Sequence, residues 1–192
     1  MRLLGIIACF SLFACAQLTI QAQEKSSNLC DSIVTHDLLQ CASIRLSKAD
    51  AQLNAIYRES VSFAGENQEV LRDVQRTWLG FRDEYCNGIY EESRGGNEAD
   101  IDKAFCLASL TEDRVAELSL IGKGNDETGL LKALRALERA GYDRQEVLDR
   151  LASNQEGSRW QQYSNKNCEF LEQTSKMAKT KCLARLNLER SY

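Results

Sequence analysis

The sequence has 192 residues, of which 43% are hydrophobic and 27% are charged, and its formal net charge is -4. This composition excludes a disordered chain and a membrane-spanning one, and the length suits one ordinary domain or two small ones. Proline is absent and there are only 11 glycines. Because sandwiches and barrels need many tight turns, these counts favour an all-α fold.

The first residues have the pattern of a secretory signal. Arg2 precedes an apolar run that ends in small residues and glutamines, which is the order of regions in a signal peptide. Signal peptidase could cut after Ala16 or after Ala22, and the segment that ends at Cys15 also resembles a bacterial lipobox. We therefore predict a signal peptide over 1–22 and an exported protein of the periplasm or cell envelope. It would be attached to the membrane only if Cys15 is lipidated.

Removal of this leader changes the cysteine count and the charge. Two of the 8 cysteines and one arginine lie within it, so six cysteines and a net charge of -5 remain. An even number of cysteines in an exported chain indicates disulfides. No Cys-x-x-Cys pair occurs and His36 is the single histidine, so we predict no metal site and no other cofactor. The acidic charge permits a cationic partner and argues against nucleic acid.

Hydrophobic periodicity predicts three helices in the first part of the chain. Apolar residues from Leu71 to Ile89 recur at intervals of three or four, which places them on one helix face. A similar pattern precedes them over 46–56, and Gly65 marks the turn between the two helices. Asn97 is the expected N-cap of the third helix.

The segment 123–127 is small and polar and is interpreted as a linker. It separates a predicted first domain, 24–122, from a predicted second one, 128–192. In the second domain Asp143 is expected to start a long helix after a glycine. The basic residues near the end of the chain are interpreted as an exposed helix face. They are Lys176, Lys179, Lys181 and Arg185.

The second domain is a partial copy of the first. Three blocks match in the same order: Trp78, Phe81 and Cys86 with Trp160, Tyr163 and Cys168; Leu53–Ile56 with Leu134–Leu137; and 106–114 with 182–190. Such order indicates a duplication. We therefore expect disulfide-stapled helical hairpins with a partial internal duplication.

The duplication also predicts the disulfides. The second copy retains two cysteines, which must pair with each other, and the equivalent pair follows in the first copy. The predicted bridges are Cys30–Cys41, Cys86–Cys106 and Cys168–Cys182. A continuous helix would hold Cys30 and Cys41 about 16 Å apart, so Cys30 is expected in a loop that folds back.

Catalytic motifs are scarce. His36 lies between Thr35 and Asp37 at a predicted helix start, where a capping or surface role is the commoner one. The sequence has no Gly-rich phosphate loop and no Gly-x-Ser-x-Gly motif. We therefore predict no catalytic residue and no enzyme activity.

One segment of the first copy resembles a known family. Its motif comprises Gln75, Trp78, Phe81, Arg82, Asp83 and Cys86. Together with the order of the four cysteines and with Arg114, the motif resembles the lysozyme-inhibitor LprI-like family of bacteria, over about Cys30 to Leu118. The resemblance implies an envelope protein, and some relatives inhibit lysozyme. The second copy has Ser164 and Asn165 in place of the Arg-Asp pair, which leaves its binding role open.

The predicted binding segment is Glu91 to Asp100, between Cys86 and Cys106. Its candidate binding residues are Glu91, Glu92, Arg94, Gly95, Gly96, Asn97, Glu98 and Asp100. Bracketing by a disulfide limits the entropy lost on binding, and acidic charge steers a cationic partner. We predict an inhibitor that occupies the cleft of lysozyme or binds another cationic protein. The alternative is a periplasmic protein-interaction or stress module without lysozyme activity.

Overall fold

The structure, a computed structural model, describes residues 29–121, 128–153 and 157–189. The helices of these residues are α1 (Thr35–Phe63), α2 (Gln68–Glu92), α3 (Ala99–Ser119), α4 (Thr128–Arg139), α5 (Arg144–Ser153), α6 (Ser158–Ser175) and α7 (Lys179–Glu189). The predicted all-α class is confirmed. The leader, with Cys15, Ala16 and Ala22, and the linker 123–127 lie outside the described residues. Within the described ranges no helix has the length and apolar character needed to cross a membrane.

The first three helices run up, down and up. Arg82 of α2 shows how they align, because its Nη1 donates to the Thr111 hydroxyl of α3 at 3.3 Å and lies 3.7 Å from Asp50 of α1. Asp50 and Thr111 are therefore at the same level. Consequently the beginnings of α1 and α3 lie at the same end of this unit as the end of α2.

The connections of this unit depend on glycines. Gly65 has a φ of 54° between α1 and α2, at the position where the sequence predicts the turn. The predicted N-cap at Asn97 is wrong, because α3 begins at Ala99, after Glu98. Gly95, with a φ of 94°, turns the chain first, and the helix can begin only after this turn is complete.

The second half of the chain is built from shorter helices. Asp143 caps α5 as predicted, since its Oδ1 accepts the backbone N–H of Glu146 at 2.8 Å. The expected long helix is wrong, because α5 ends at Ser153 and α6 begins at Ser158. Gly157, immediately before α6, has a φ of 81°, a backbone conformation that a continuing helix does not contain.

Helices α2 and α6 pack against each other in opposite directions. Asp73, near the start of α2, contacts Lys166 in the middle of α6 at 2.5 Å, whereas Glu84, in the second half of α2, contacts Arg159 at the start of α6 at 2.9 Å. At the centre the ring of Phe81 stacks on that of Tyr163, with centroids 6.0 Å apart and planes 8° apart. These two aromatic residues are equivalent in the proposed duplication. A hairpin packed on its own copy about a two-fold axis would have this arrangement.

Three disulfides connect the helices, in the three pairs that the duplication predicts. Their Cα atoms are 5.2 Å apart in Cys30–Cys41, 5.6 Å in Cys86–Cys106 and 5.5 Å in Cys168–Cys182. Such distances are normal for disulfides. The second bridge joins α2 to α3, and the third joins α6 to α7.

Candidate functional site

The residues of the family motif on α2 lie mostly in the core. Trp78 and Phe81 are 2% and 3% exposed, and Gln75 is also buried and accepts a hydrogen bond from Arg114. Arg82 lies over the Trp78 ring, 5.1 Å from its centroid, and pairs with Asp83 at 2.8 Å. The motif therefore stabilises the helical unit, and it offers a partner little apart from the exposed carboxylate of Asp83.

Arg114 connects this motif to the second half of the chain. It is 1% exposed, and its Nε donates to Gln75 of α2 at 3.0 Å. Its Nη1 donates to the Tyr163 hydroxyl at 3.0 Å and to Asn167 Oδ1 at 2.9 Å, both in α6. Burial raises the pKa of Tyr163 to about 12. A buried guanidinium with three hydrogen-bond acceptors fixes how α3 lies on α2 and α6.

The buried hydrogen bonds continue into α7. Asn167 donates to Glu117 at 2.8 Å, and Arg185 donates to the other oxygen of Glu117 at 2.5 Å and to Glu189 at 2.9 Å. Burial lowers the pKa of Arg185, but the two carboxylates outweigh this effect and leave the pKa above its ordinary value. Arg185 is only 3% exposed. Its assignment to the exposed basic face is therefore wrong, because two carboxylates compensate its burial.

Aromatic side chains border a cleft of about 470 Å³ between α3 and α7. Trp78, Phe81, Trp160 and Tyr163 all contribute to its lining. Each of these residues is no more than 5% exposed, so no open ring face is available for a sugar to stack on. We therefore assign these rings to the core, as the amphipathic pattern of α2 predicts for Trp78 and Phe81.

The predicted binding segment lies on the surface. All eight of its candidate residues are exposed, whereas the adjoining Ala99 is buried and starts α3. Within the segment Arg94 pairs with Glu91 at 3.1 Å, and the Gly96 N–H donates to the Ser93 carbonyl at 2.9 Å. The disulfide between α2 and α3 closes its base. The loop is therefore an exposed turn on a covalently fixed support.

This loop belongs to a surface that we call the acidic end, which comprises residues 29–37 and 91–103. The acidic end contains seven acidic and two basic residues. One of the two basic side chains, Arg94, is paired within the loop, and the other, Lys103, lies 5.4 Å from the centroid of the Tyr90 ring. Its net charge of -5 equals that of the whole chain without the leader. The charges of the other residues that follow the leader therefore sum to zero.

His36 is exposed in the first turn of α1, and no side-chain capping hydrogen bond is formed at the start of that helix. The structure therefore places it on the surface rather than in a cap. Within the three described ranges, no group of three or more His, Cys, Asp or Glu side chains could hold a metal ion.

Two features of the molecule are not predicted from the sequence. The first is the buried set formed by Arg114, Glu117, Asn167 and Arg185, for which only the presence of Arg114 after the closing cysteine gives a hint. The second is Ile33, a large aliphatic residue that is 97% exposed. It lies three residues after Cys30 in a segment without helical periodicity, and sequence patterns do not distinguish an exposed aliphatic residue there from a buried one.

The fold and the acidic end together define a disulfide-stapled, all-α protein with a charged loop surface. The model of the family described as Lysozyme inhibitor LprI matches residues 26–118. The chain belongs to this family. It is also 33% identical over 123 residues to an uncharacterized protein of Rhizobium meliloti (strain 1021), a match that covers 56% of this chain and 88% of the relative. No solved structure matches the chain.

Proposed function

We propose that this protein is an exported lysozyme inhibitor that acts by placing its 91–100 loop in the lysozyme cleft. The family supports the inhibitor role. The three disulfides fit an oxidising compartment outside the cytoplasm, for which we propose the periplasm or cell envelope. The lysozyme partner follows from the family, whereas the contact through this loop is our own proposal.

The observation that carries the proposal is the concentration of charge at the acidic end. Lysozymes are typically cationic, and a surface with a local charge of -5 attracts such a partner from a distance. Because the remaining surface has no net charge, the field also orients the inhibitor. Its acidic end would face the enzyme during the encounter.

The conformation of the loop supports the same proposal. Gly95 and Gly96 form an exposed tip without large side chains, and Cys86–Cys106 fixes the two helices that bear the loop. A loop that is already ordered loses little conformational entropy when it binds. A narrow tip on a fixed base is a suitable shape for an enzyme groove, as in other protein inhibitors that bind without large rearrangement.

A lytic assay tests the proposal. The purified mature protein, with its disulfides intact, is added in excess to lysozyme acting on bacterial cell walls, and lysis should stop. In a variant with Glu91→Gln, Glu92→Gln, Glu98→Gln and Asp100→Asn, we expect about tenfold or greater weakening of inhibition. The reason is that four attractive charges are lost while the shape of the loop is retained.

The matched control removes the same number of charges elsewhere. Glu59→Gln, Glu66→Gln, Glu69→Gln and Asp149→Asn alter exposed carboxylates outside the acidic end and should leave inhibition unchanged. Equal weakening by both variants would contradict the placement of the site. Uninhibited lysis with the wild-type protein would contradict the function itself and favour the alternative of an interaction or stress module in the envelope.

A further inference from the structure

A second segment of the acidic end exposes apolar side chains. Ile33 is 97% exposed and Val34 is 53% exposed. The segment is nevertheless well fixed. The Ser32 hydroxyl accepts the Val34 N–H at 3.1 Å and donates to Asp37 at 2.7 Å, and a disulfide ties the preceding Cys30 to α1. An aliphatic pair is therefore presented to solvent on an ordered backbone.

The helix geometry places this pair beside the 91–100 loop. Asp50 and Thr111 both lie at the level of Arg82. The first residue of α1 is 15 positions before Asp50, and the first residue of α3 is 12 positions before Thr111. At 1.5 Å per residue these offsets correspond to about 22 Å and about 18 Å along neighbouring helices that run in the same direction. The two helix starts are thus nearly level, and so are the loops that precede them.

We propose that Ile33 and Val34 form the apolar anchor of the partner-binding surface, and that the acidic residues around them form its rim. This inference rests on the proposed function and adds a second contact to it. Strong protein interfaces commonly combine a small apolar centre with a polar border. The matching partner is a cationic protein with an apolar pocket bordered by lysine or arginine side chains.

Charge complementarity favours a cationic protein, rather than a second copy of the chain, as the partner at this surface. Two acidic ends facing each other would bring together two surfaces of charge -5, and like charges at an interface oppose association. A cationic protein gains the same electrostatic attraction that we propose for the loop, and its pocket would remove the aliphatic side chains from water. The anchor should therefore slow dissociation, whereas the acidic rim should speed association.

The test uses the full mature protein and hen egg-white lysozyme, with binding rates measured by surface plasmon resonance. The variants Ile33→Ser and Val34→Ser should each fold normally, since the first side chain is almost wholly in solvent and serine is favoured at the helix N-cap that Val34 occupies. We expect about tenfold faster dissociation for Ile33→Ser and a smaller increase for Val34→Ser. The association rate and its dependence on salt should remain those of the wild type.

The controls are Phe63→Ser and Tyr142→Ser, which alter side chains that are 56% and 59% exposed outside the acidic end. Both should bind as the wild type does. If lysozyme binds the wild type and Ile33→Ser equally well, the proposal that Ile33 is part of an apolar anchor is wrong, while the inhibitor proposal stands. If the wild type does not bind, both proposals are wrong. A dimer that forms in sedimentation experiments and is lost in Ile33→Ser would assign the surface to a second copy and overturn the inference.

Discussion

Arg114 is one of several side chains that connect the two halves of the protein, and it is almost wholly buried. It lies in α3 and donates hydrogen bonds to α2 and to α6, so it fixes three helices at once. A buried guanidinium is costly unless its surroundings accept its hydrogen bonds. Because the compensating groups come from distant parts of the chain, their assembly requires both halves to be folded together.

Replacement of Arg114 should therefore destabilise the whole molecule. We expect Arg114→Met to lower the free energy of unfolding by about 3–5 kcal/mol, because it leaves three buried acceptors without their donor and each such loss costs about 1–3 kcal/mol. Urea denaturation followed by circular dichroism measures this change. Arg94→Met is the control, since this exposed side chain should contribute less than about 1 kcal/mol. Similar losses in the two variants would contradict the central role of Arg114.

Tyr163 gives the protein a specific sensitivity to alkali. Burial raises its pKa from 10.0 to about 12, so the folded state retains the phenolic proton after the unfolded state has lost it. This difference does not reduce the free energy of unfolding below pH 10. As the pH rises from 10 towards 12, ionisation of the unfolded state lowers the free energy of unfolding by about 3 kcal/mol in total. Denaturation at a series of pH values should show this loss. Tyr163→Phe, although less stable at neutral pH, should lose less between these two values.

The sequence predicts only some of the residues that stabilise the core. The motif identifies Gln75 and Trp78, and periodicity correctly places Trp78 in the core. The hydrogen bond from Arg114 to Gln75 joins positions 39 residues apart, and no local pattern encodes that pairing. The burial of Arg185 likewise depends on Glu117, which lies in another helix.

At the level of elements, α2 and α6 form the centre of the fold. Their apolar faces cover each other, and salt bridges at both ends of the contact fix their antiparallel register. Hydrophobic spacing predicts α2 well, because its stripe is long and unbroken. The starts of α3 and α6 are predicted less well, because backbone turns at Gly95 and Gly157 precede them and a capping residue alone does not decide where a helix begins.

The two interhelical disulfides should differ in their effect on binding. Their loops span 20 residues in Cys86–Cys106 and 14 in Cys168–Cys182, so removal of either should cost about 3 kcal/mol of stability. Only the first supports the 91–100 loop. We expect the double variant Cys86→Ser, Cys106→Ser to bind lysozyme about tenfold more weakly, since the loop must then be ordered on binding.

The double variant Cys168→Ser, Cys182→Ser is the matched control for stability. At a temperature at which both variants are folded, it should bind lysozyme as the wild type does. Calorimetric titration would show the difference as a larger entropic penalty for the first variant. Equal affinities would indicate that the loop stays ordered without its disulfide.

The whole molecule has a pronounced electrical asymmetry. Residues 29–37 and 91–103 carry a net charge of -5, and the charges of the other residues after the predicted leader 1–22 sum to zero. The total charge is readable from the sequence, but its location on one surface is not. The segments concerned are more than 50 residues apart along the chain, and only the parallel course of α1 and α3 brings them together.

This asymmetry predicts a strong effect of salt on the proposed association. The screening length falls from about 30 Å at 10 mM salt to about 8 Å at 150 mM. The association rate with lysozyme should therefore drop by about tenfold or more over this range, whereas dissociation should change little. Stopped-flow measurements at several salt concentrations provide the test. An association rate that is independent of salt would contradict electrostatic steering by the acidic end.

The covering of α2 by α6 has a consequence for how new specificities can arise in this protein. The helix that carries the family motif is enclosed on the side of Trp78 and Phe81, so mutations there alter folding before they alter recognition. The two disulfide-bounded loops have the opposite property, because their exposed side chains can vary without repacking the interior. Transplanting residues 31–34 and 91–98 from one family member into another should accordingly exchange their targets and leave the recipient's thermal stability intact.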